Sequence, residues 1–132
     1  MIYAENKSIE LSAFSTKLGS NGICYTIVKP NASIKLQDAL ENSDAIKKIS
    51  GEKIYPLLVN LKQINSITKE ARDHFSMQNR TPGVTAIGML IKSPVSRIIG
   101  NFFLGLNKST VPAKLFTNEE KAITWLKQFS SK

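Results

Sequence analysis

The sequence contains one cysteine and one histidine and lacks the side-chain clusters on which most enzymes depend. No Cys or Asp is spaced to form a catalytic triad with His74. No cluster of His, Cys and Asp residues has the spacing of metal ligands. No glycine-rich stretch matches a phosphate- or dinucleotide-binding motif. Cys24 lies within an apolar run, where a small core residue is expected. We therefore predict a protein that is not an enzyme and uses no metal or cofactor.

Long apolar runs are also absent. The longest, TAIGMLI and IIGNFFLGL, are too short to cross a bilayer, so no membrane span is predicted. A secretory signal has a basic segment followed by an apolar one, and the opening stretch MIYAENKSIE lacks this pattern. A single cysteine is typical of a reducing compartment, and we predict a cytoplasmic protein. A length of 132 residues suits a single domain over residues 1–132.

Acidic residues are missing from a long segment of this basic chain, whose net charge is +8. Between His74 and Asn118 there is no Asp or Glu, and the basic residues there are Arg80, Lys92, Arg97, Lys108 and Lys114. The positive electrostatic field of such a segment attracts anionic partners. A surface that only keeps the protein in solution would explain the excess of basic residues equally well. The absence of a Lys/Arg run and of aromatic–basic interleaving argues against nucleic acid.

Apolar periodicity predicts an alternation of strands and helices after two opening strands. The predicted strands are SIELSAF, ICYTIVK, IYPLLVNL, VTAIGMLI and AKLFT, with STKLGSNG as a turn between the first two. The predicted helices are Ser33–Ile49 with Ser33 as its cap, Thr68–Asn79, one capped by Ser93, and a last one with Thr117 and Glu120 as its capping-box pair. Helical crossovers join parallel strands. The prediction is an α/β protein of order β-β-α-β-α-β-α-β-α, with a mixed, mostly parallel sheet flanked by helices.

The order of elements resembles the STAS domain of anti-sigma-factor antagonists and sulfate-transporter tails. The segment LLVNLKQINSITKEA resembles the central STAS signature of a buried strand, a short loop and a helix that starts at a phosphorylatable serine. The segments SPVSRIIGNFFLGLN and LFTNEEKAITWLKQF are more similar to a small bacterial stand-alone STAS-like branch of unassigned role. The resemblance implies a non-enzymatic protein-interaction or regulatory module.

The signature departs from the family at the phosphoacceptor. Where an Asp-Ser-Ser-Gly-type stretch is expected, the chain has Thr68, Lys69, Glu70 and Ala71. Lys69 or Glu70 occupies the acceptor position, and neither accepts phosphate as serine does. The nearest hydroxyls belong to Thr68 and Ser66. We therefore predict a module without the usual phosphoserine switch.

The segment SPVSRIIGNFFLGLN is the most distinctive stretch of the chain. Its apolar residues recur at helical spacing and predict one face toward the sheet: Val95, Ile98, Ile99, Phe102, Phe103 and Leu106. The opposite face is predicted to bind an unidentified protein or a second copy of the chain through Arg97, Asn101, Leu104 and Lys108. Gly100 beside this stripe allows close approach of a partner. On this interpretation Leu104 is exposed, and Leu104→Glu leaves the fold intact.

The starts of two helices suggest an alternative function, because free N–H groups and nearby cations can hold an anion. The contact residues would be Ser66, Thr68, Lys69, Ser93, Ser96 and Arg97. The protein would then carry a small anionic or lipid-like ligand in its strand-end loops, although ordinary helix capping explains these hydroxyls too. A roomy apolar cavity would favour a ligand, and a flat apolar surface with a basic rim would favour a protein partner.

Overall fold

The computed structural model describes residues 3–51, 53–78, 84–106 and 111–130. The strands are β1 (Tyr3–Glu10), β2 (Phe14–Gly19), β3 (Cys24–Val28), β4 (Ser33–Ile34), β5 (Tyr55–Asn60), β6 (Ser66–Ile67), β7 (Val84–Leu90) and β8 (Ala113–Phe116). The helices are α1 (Leu36–Ser50), α2 (Lys69–Gln78), α3 (Pro94–Leu106) and α4 (Glu119–Lys127).

Six strands form the main sheet in the order β1-β2-β3-β5-β7-β8. The pairs β1–β2 and β2–β3 are antiparallel, and the pairs β3–β5, β5–β7 and β7–β8 are parallel. Helices separate the parallel strands along the chain, as crossover connections require. The predicted α/β class with a mixed, mostly parallel sheet is therefore confirmed.

The opening of the sheet contains one strand more than the sequence predicted. The segment interpreted as a turn lies mostly within β2, and the reversal into β3 occurs at Gly22, whose φ of 83° is in the left-handed region that favours glycine. Thr16 in β2 is fully buried, which the polar character of this strand does not suggest. Its hydroxyl is satisfied by hydrogen bonds to Thr26 and Asn42, so a polar strand can be buried here.

The helices cover both faces of the sheet. Leu57 and Leu58, neighbours on β5, belong to different clusters because successive strand residues point to opposite faces. The larger cluster packs against α1, α2 and α3, and the smaller one packs against α4 through Leu126. A Cβ on Gly88 would lie 3.2 Å from Cδ1 of Leu126, so the glycine lets α4 sit close to the sheet.

A second, two-stranded sheet ties together two loops at the carboxyl ends of the parallel strands. Ser33 and Ile34 of β4 pair with Ser66 and Ile67 of β6. Asn65 Nδ2 also donates to Ser33 Oγ at 2.9 Å. Because Ser33 is a strand residue, the prediction that it caps α1 is wrong, and the helix begins later. None of the helices in the described ranges has the length and apolarity needed to cross a membrane.

Candidate functional site

Helix α3 is rotated relative to the face that its apolar pattern predicted. Ile99 and Phe103 are buried, but Val95, Ile98 and Phe102, predicted to face the sheet, are 41%, 69% and 39% exposed. The inward row is Ser96, Ile99, Gly100 and Phe103, which also follows helical spacing. The side chain of Leu106 is not among those that the structure describes. The prediction that all six apolar residues face the sheet is therefore wrong.

The small residues of α3 explain this rotation. A Cβ on Gly100 would lie 3.0 Å from Cγ2 of Ile91 and Cδ2 of Leu115, so the glycine lets the helix backbone approach its own sheet rather than a partner. Ser96 is fully buried, and its hydroxyl donates to the Ser93 carbonyl and accepts from the Lys92 N–H, both at 2.8 Å. Local hydrogen bonds thus allow a polar residue to face the core.

The predicted partner-binding stripe is only partly preserved. Arg97 and Asn101 are exposed, as predicted. Leu104 is half-buried and packs against the larger core cluster, so the prediction that it is exposed is wrong. Lys108 lies outside the described residues.

The exposed apolar residues of α3 instead form what we call the α3 surface: Val95, Ile98 and Phe102. The guanidinium carbon of Arg72, on α2, lies 5.0 Å from the centroid of the Phe102 ring, within the range of a cation–π contact. Within the described residues, Arg72 Nε is buried without a hydrogen-bond partner. Arginine is one of the residue types enriched at the centres of protein–protein interfaces.

The six predicted anion contacts are mostly engaged in local structure. Ser93 Oγ accepts from the Ser96 N–H at 3.0 Å, and Thr68 Oγ1 accepts from the Ala71 N–H at 3.2 Å, so both hydroxyls cap helices. Lys69 Nζ lies 3.0 Å from Asp73 Oδ2. The remaining three differ in burial: Ser66 and Arg97 are exposed, and Ser96 is buried.

A cavity of about 170 Å³ lies between the sheet and the helices of the larger cluster. Its walls are mainly apolar and include Leu57 and Met89 of the sheet, Ile46 of α1, Phe75 of α2 and Phe103 of α3. None of the six predicted anion contacts lines it. The sequence did not predict an internal space, because it depends on how helices seat on the sheet.

The exposed residues of the cavity lining lie away from the predicted anion contacts. The exposed lining residues are Lys47, Gly51 and Lys53, at the end of α1 and in the connection to β5. This connection precedes the amino end of β5, whereas Ser66 and Ser93 follow the carboxyl ends of β5 and β7. A molecule entering here would therefore meet residues that the sequence analysis did not single out.

A buried polar chain forms part of the cavity wall. Thr16 Oγ1 donates to Asn42 Oδ1 at 2.6 Å and lies 3.2 Å from Thr26 Oγ1. Because the single proton of Thr16 is used on Asn42, Thr26 is the donor in the second bond. Thr26 and Asn42 both line the cavity, with 1% and 2% of their surface exposed.

His74 links the two helices that cover the cavity. Its Nε2 lies 2.8 Å from Ser43 Oγ, which joins α2 to α1, and burial lowers the pKa of the imidazole below its ordinary value. Cys24 is buried, and burial raises the pKa of its thiol to about 12, so it is a poor nucleophile. In the described ranges, no three His, Cys, Asp or Glu side chains are grouped to hold a metal.

The lowered pKa of His74 predicts a pH dependence of stability. The unfolded chain protonates its histidine near pH 6.5, whereas the folded protein resists protonation, so the free energy of unfolding falls as pH drops below about 6.5. His74→Gln keeps a hydrogen-bonding group near Ser43 and should flatten this slope. Urea unfolding at several pH values measures the free energy of unfolding of the wild type and of the His74→Gln protein. The pH values are kept above the range in which Glu10 titrates. Identical slopes would contradict the role of His74.

Comparison with known proteins identifies a family and a fold for this chain. Residues 17–130 match the family model described as domain of unknown function DUF7793. A protein from Shewanella loihica PV-4, described as an uncharacterised DUF3478 protein with a SpoIIAA-like fold, superposes with a TM-score of 0.61. That match has 8% identity and covers 90% of this chain and 89% of the other. The fold of this chain is therefore SpoIIAA-like, the STAS-like architecture that the sequence predicted.

A second solved structure, a protein of unknown function from Arthrobacter sp. FB24, is 32% identical in sequence. The match covers 84% of this chain and 96% of that chain, with a TM-score of 0.34. No curated protein matches the chain.

Proposed function

Because the chain belongs to the DUF7793 family and has a SpoIIAA-like fold, we propose that it is a non-enzymatic interaction module that binds an acidic protein partner through the α3 surface. The observation that carries the proposal is the exposure of Val95, Ile98 and Phe102 on one side of a single helix. A cluster of large apolar side chains in contact with water favours association, because burying it releases that water.

The chemistry around the α3 surface favours an acidic partner. Arg72 lies over Phe102, and Arg97 and Lys92 are exposed on and before the same helix. The sequence from residue 74 to residue 118, which includes Lys92 and Arg97, contains no acid, and Asp73 beside Arg72 is paired with Lys69. Two copies of the chain placed with these surfaces together would repel, whereas Asp or Glu side chains around an apolar centre would complement them.

Selection of a random peptide library on the immobilised protein tests this proposal. Peptides retained by the wild type should combine large apolar residues with Asp or Glu. Ile98→Glu should weaken their binding at least about tenfold, because it places a charge at the centre of the apolar surface. Ile98 is 69% exposed, so the variant should fold normally, and circular dichroism checks this.

Ile54→Glu is the matched control, since Ile54 is 46% exposed and lies before β5 rather than on α3. It should retain the selected peptides. Selected peptides rich in Lys or Arg, equal binding to the Ile98→Glu protein, or no enrichment would contradict the proposal. Sedimentation velocity provides a further check: a wild-type dimer that Ile98→Glu dissociates would identify a second copy as the partner instead.

The start of α2 supports a module that works without phosphorylation at the usual position. Helix α2 begins at Lys69, after Thr68 as its capping residue, so the family's acceptor position carries a side chain that is not phosphorylated in that way. Mass spectrometry of protein purified from the cells that make it should find no phosphate on Ser66 or Thr68. A stoichiometric phosphate on Thr68 would contradict this, and Lys69 beside it would stabilise such a group.

A further inference from the structure

We propose that the cavity beneath α1 binds a small, neutral and mainly apolar molecule that carries one hydrogen-bond acceptor, and that Asn42 donates to this acceptor. The site is separate from the α3 surface and does not depend on the proposed protein partner. It also differs from the predicted anion site: Ile64 and Ile67 of the loop after β5 line the cavity, but none of the six candidate anion contacts does.

The volume of the cavity limits the size of its occupant. An apolar cavity of about 150 Å³ in another protein binds benzene, whereas pockets for drug-sized ligands span about 300–1,000 Å³. At about 170 Å³, this cavity suits one ring or a short aliphatic chain with a small substituent. Its lining by Leu57, Phe75, Met89 and Phe103 matches such an apolar body.

Asn42 supplies the specific polar contact. Its amide oxygen accepts from Thr16, and within the described part of the chain this is the side chain's one hydrogen bond. The two N–H donors of the amide nitrogen therefore have no acceptor among the described residues, although the residue is only 2% exposed. This nitrogen is not one of the fully buried atoms left without a partner in the described part of the chain, so part of its surface is accessible. A ligand oxygen beside it would gain a hydrogen bond. Because Asn42 lines the cavity, that oxygen belongs to the occupant.

The charges around the cavity favour a neutral ligand. Among the described lining residues, Lys47 and Lys53 are the charged ones, and both are exposed at the opening. A carboxylate beside Asn42 would lose its hydration without a buried cation to replace it. A carbonyl or hydroxyl oxygen has a smaller desolvation cost and still accepts from an amide.

Three probes test the size, acceptor and charge of the ligand. Acetophenone has one ring and a carbonyl, α-methylstyrene has nearly the same shape without the oxygen, and benzoate carries a charge. Titration calorimetry and saturation-transfer NMR on the full chain should show that acetophenone binds about three- to tenfold more tightly than α-methylstyrene, the contribution of one hydrogen bond. Benzoate should bind more weakly than acetophenone.

Two variants separate the cavity from nonspecific binding. Asn42→Leu has a similar size and should remove the preference for acetophenone while α-methylstyrene still binds. Ile46→Trp, at a half-buried lining position, should fill the cavity and abolish binding of both neutral probes. Backbone NMR spectra establish whether each variant is folded.

Each result decides the proposal. Loss of the acetophenone preference in the Asn42→Leu protein supports it. If Asn42→Leu does not fold, because Thr16 loses its acceptor, the acetophenone and α-methylstyrene comparison on the wild type decides the acceptor. Equal affinity of these two probes, tighter binding of benzoate, or unchanged binding by a folded Ile46→Trp protein would each overturn the assignment.

Discussion

Phe103→Ala is expected to lower the free energy of unfolding by about 3–5 kcal/mol, the usual cost of removing a buried phenylalanine. Phe103 is 8% exposed and belongs to the larger core cluster. Its ring lies 6.1 Å from that of Phe75 and 5.6 Å from that of Phe102, centroid to centroid, in edge-to-face arrangements. It also borders the internal cavity, so the truncation enlarges an existing space. Since a domain has about 5–15 kcal/mol of total stability, the variant should be close to unfolding.

Phe102→Ala is the matched control for this prediction. Phe102 is the next residue of the same helix, but it is 39% exposed and its ring is covered on one side by Arg72. The expected cost is about 1 kcal/mol, because less apolar surface is lost from the interior. Urea unfolding followed by circular dichroism measures both. Equal losses, as the apolar pattern alone would suggest, would show that α3 presents both rings to the core.

The buried strands were predictable from the sequence because they carry strong local signals. The runs that became β5 and β7 are almost continuously apolar, and such runs are typical of strands with both faces covered. β2 was missed because Ser15, Thr16 and Lys17 are common in turns. Its burial depends on hydrogen bonds that join Thr16 to Thr26 of β3 and Asn42 of α1, which no local pattern reports.

The orientation of α3 was not predictable because its apolar face is broad. Ile99 and Phe103 lie toward one edge of this face and Ile98 and Phe102 toward the other, and hydrophobic periodicity does not tell which edge meets the sheet. Two residues determine which side of α3 meets the sheet. Gly100 fits against Ile91 and Leu115, where a Cβ would be too close to both side chains. Ser96 can be buried because its hydroxyl forms hydrogen bonds within its own turn. Periodicity selected Val95, Ile98 and Phe102 as core residues, and these now form the candidate partner surface.

The exposure of residues on α3 was accordingly predicted only in part. Arg97 and Asn101 are exposed, as predicted, whereas Leu104 is half-buried. The cavity could not be inferred, since it depends on the spacing between α1 and the sheet. Asn42 carries no signal in the sequence that distinguishes it from a surface helix residue. Its importance follows from its burial and from its bond to Thr16.

Leu104→Glu distinguishes the two orientations of α3 directly. With Leu104 exposed, as its position opposite the predicted apolar face requires, the variant would fold like the wild type. In the structure Leu104 is half-buried against the larger core cluster. Glutamate there removes apolar burial and brings a carboxylate into a partly desolvated position. We therefore expect Leu104→Glu to lower the free energy of unfolding by about 2–3 kcal/mol.

Ile98→Glu makes the same chemical change on the same helix and is the control. With 69% of Ile98 exposed, the substitution should change the free energy of unfolding by no more than about 0.5 kcal/mol. Thermal and urea unfolding of the two variants, followed by circular dichroism, measure the difference. A stable Leu104→Glu protein together with an unstable Ile98→Glu protein would mean that the helix packs by the stripe its periodicity predicted. The α3 surface would then be part of the core, and the partner would have to bind through Arg97, Asn101 and Leu104 instead.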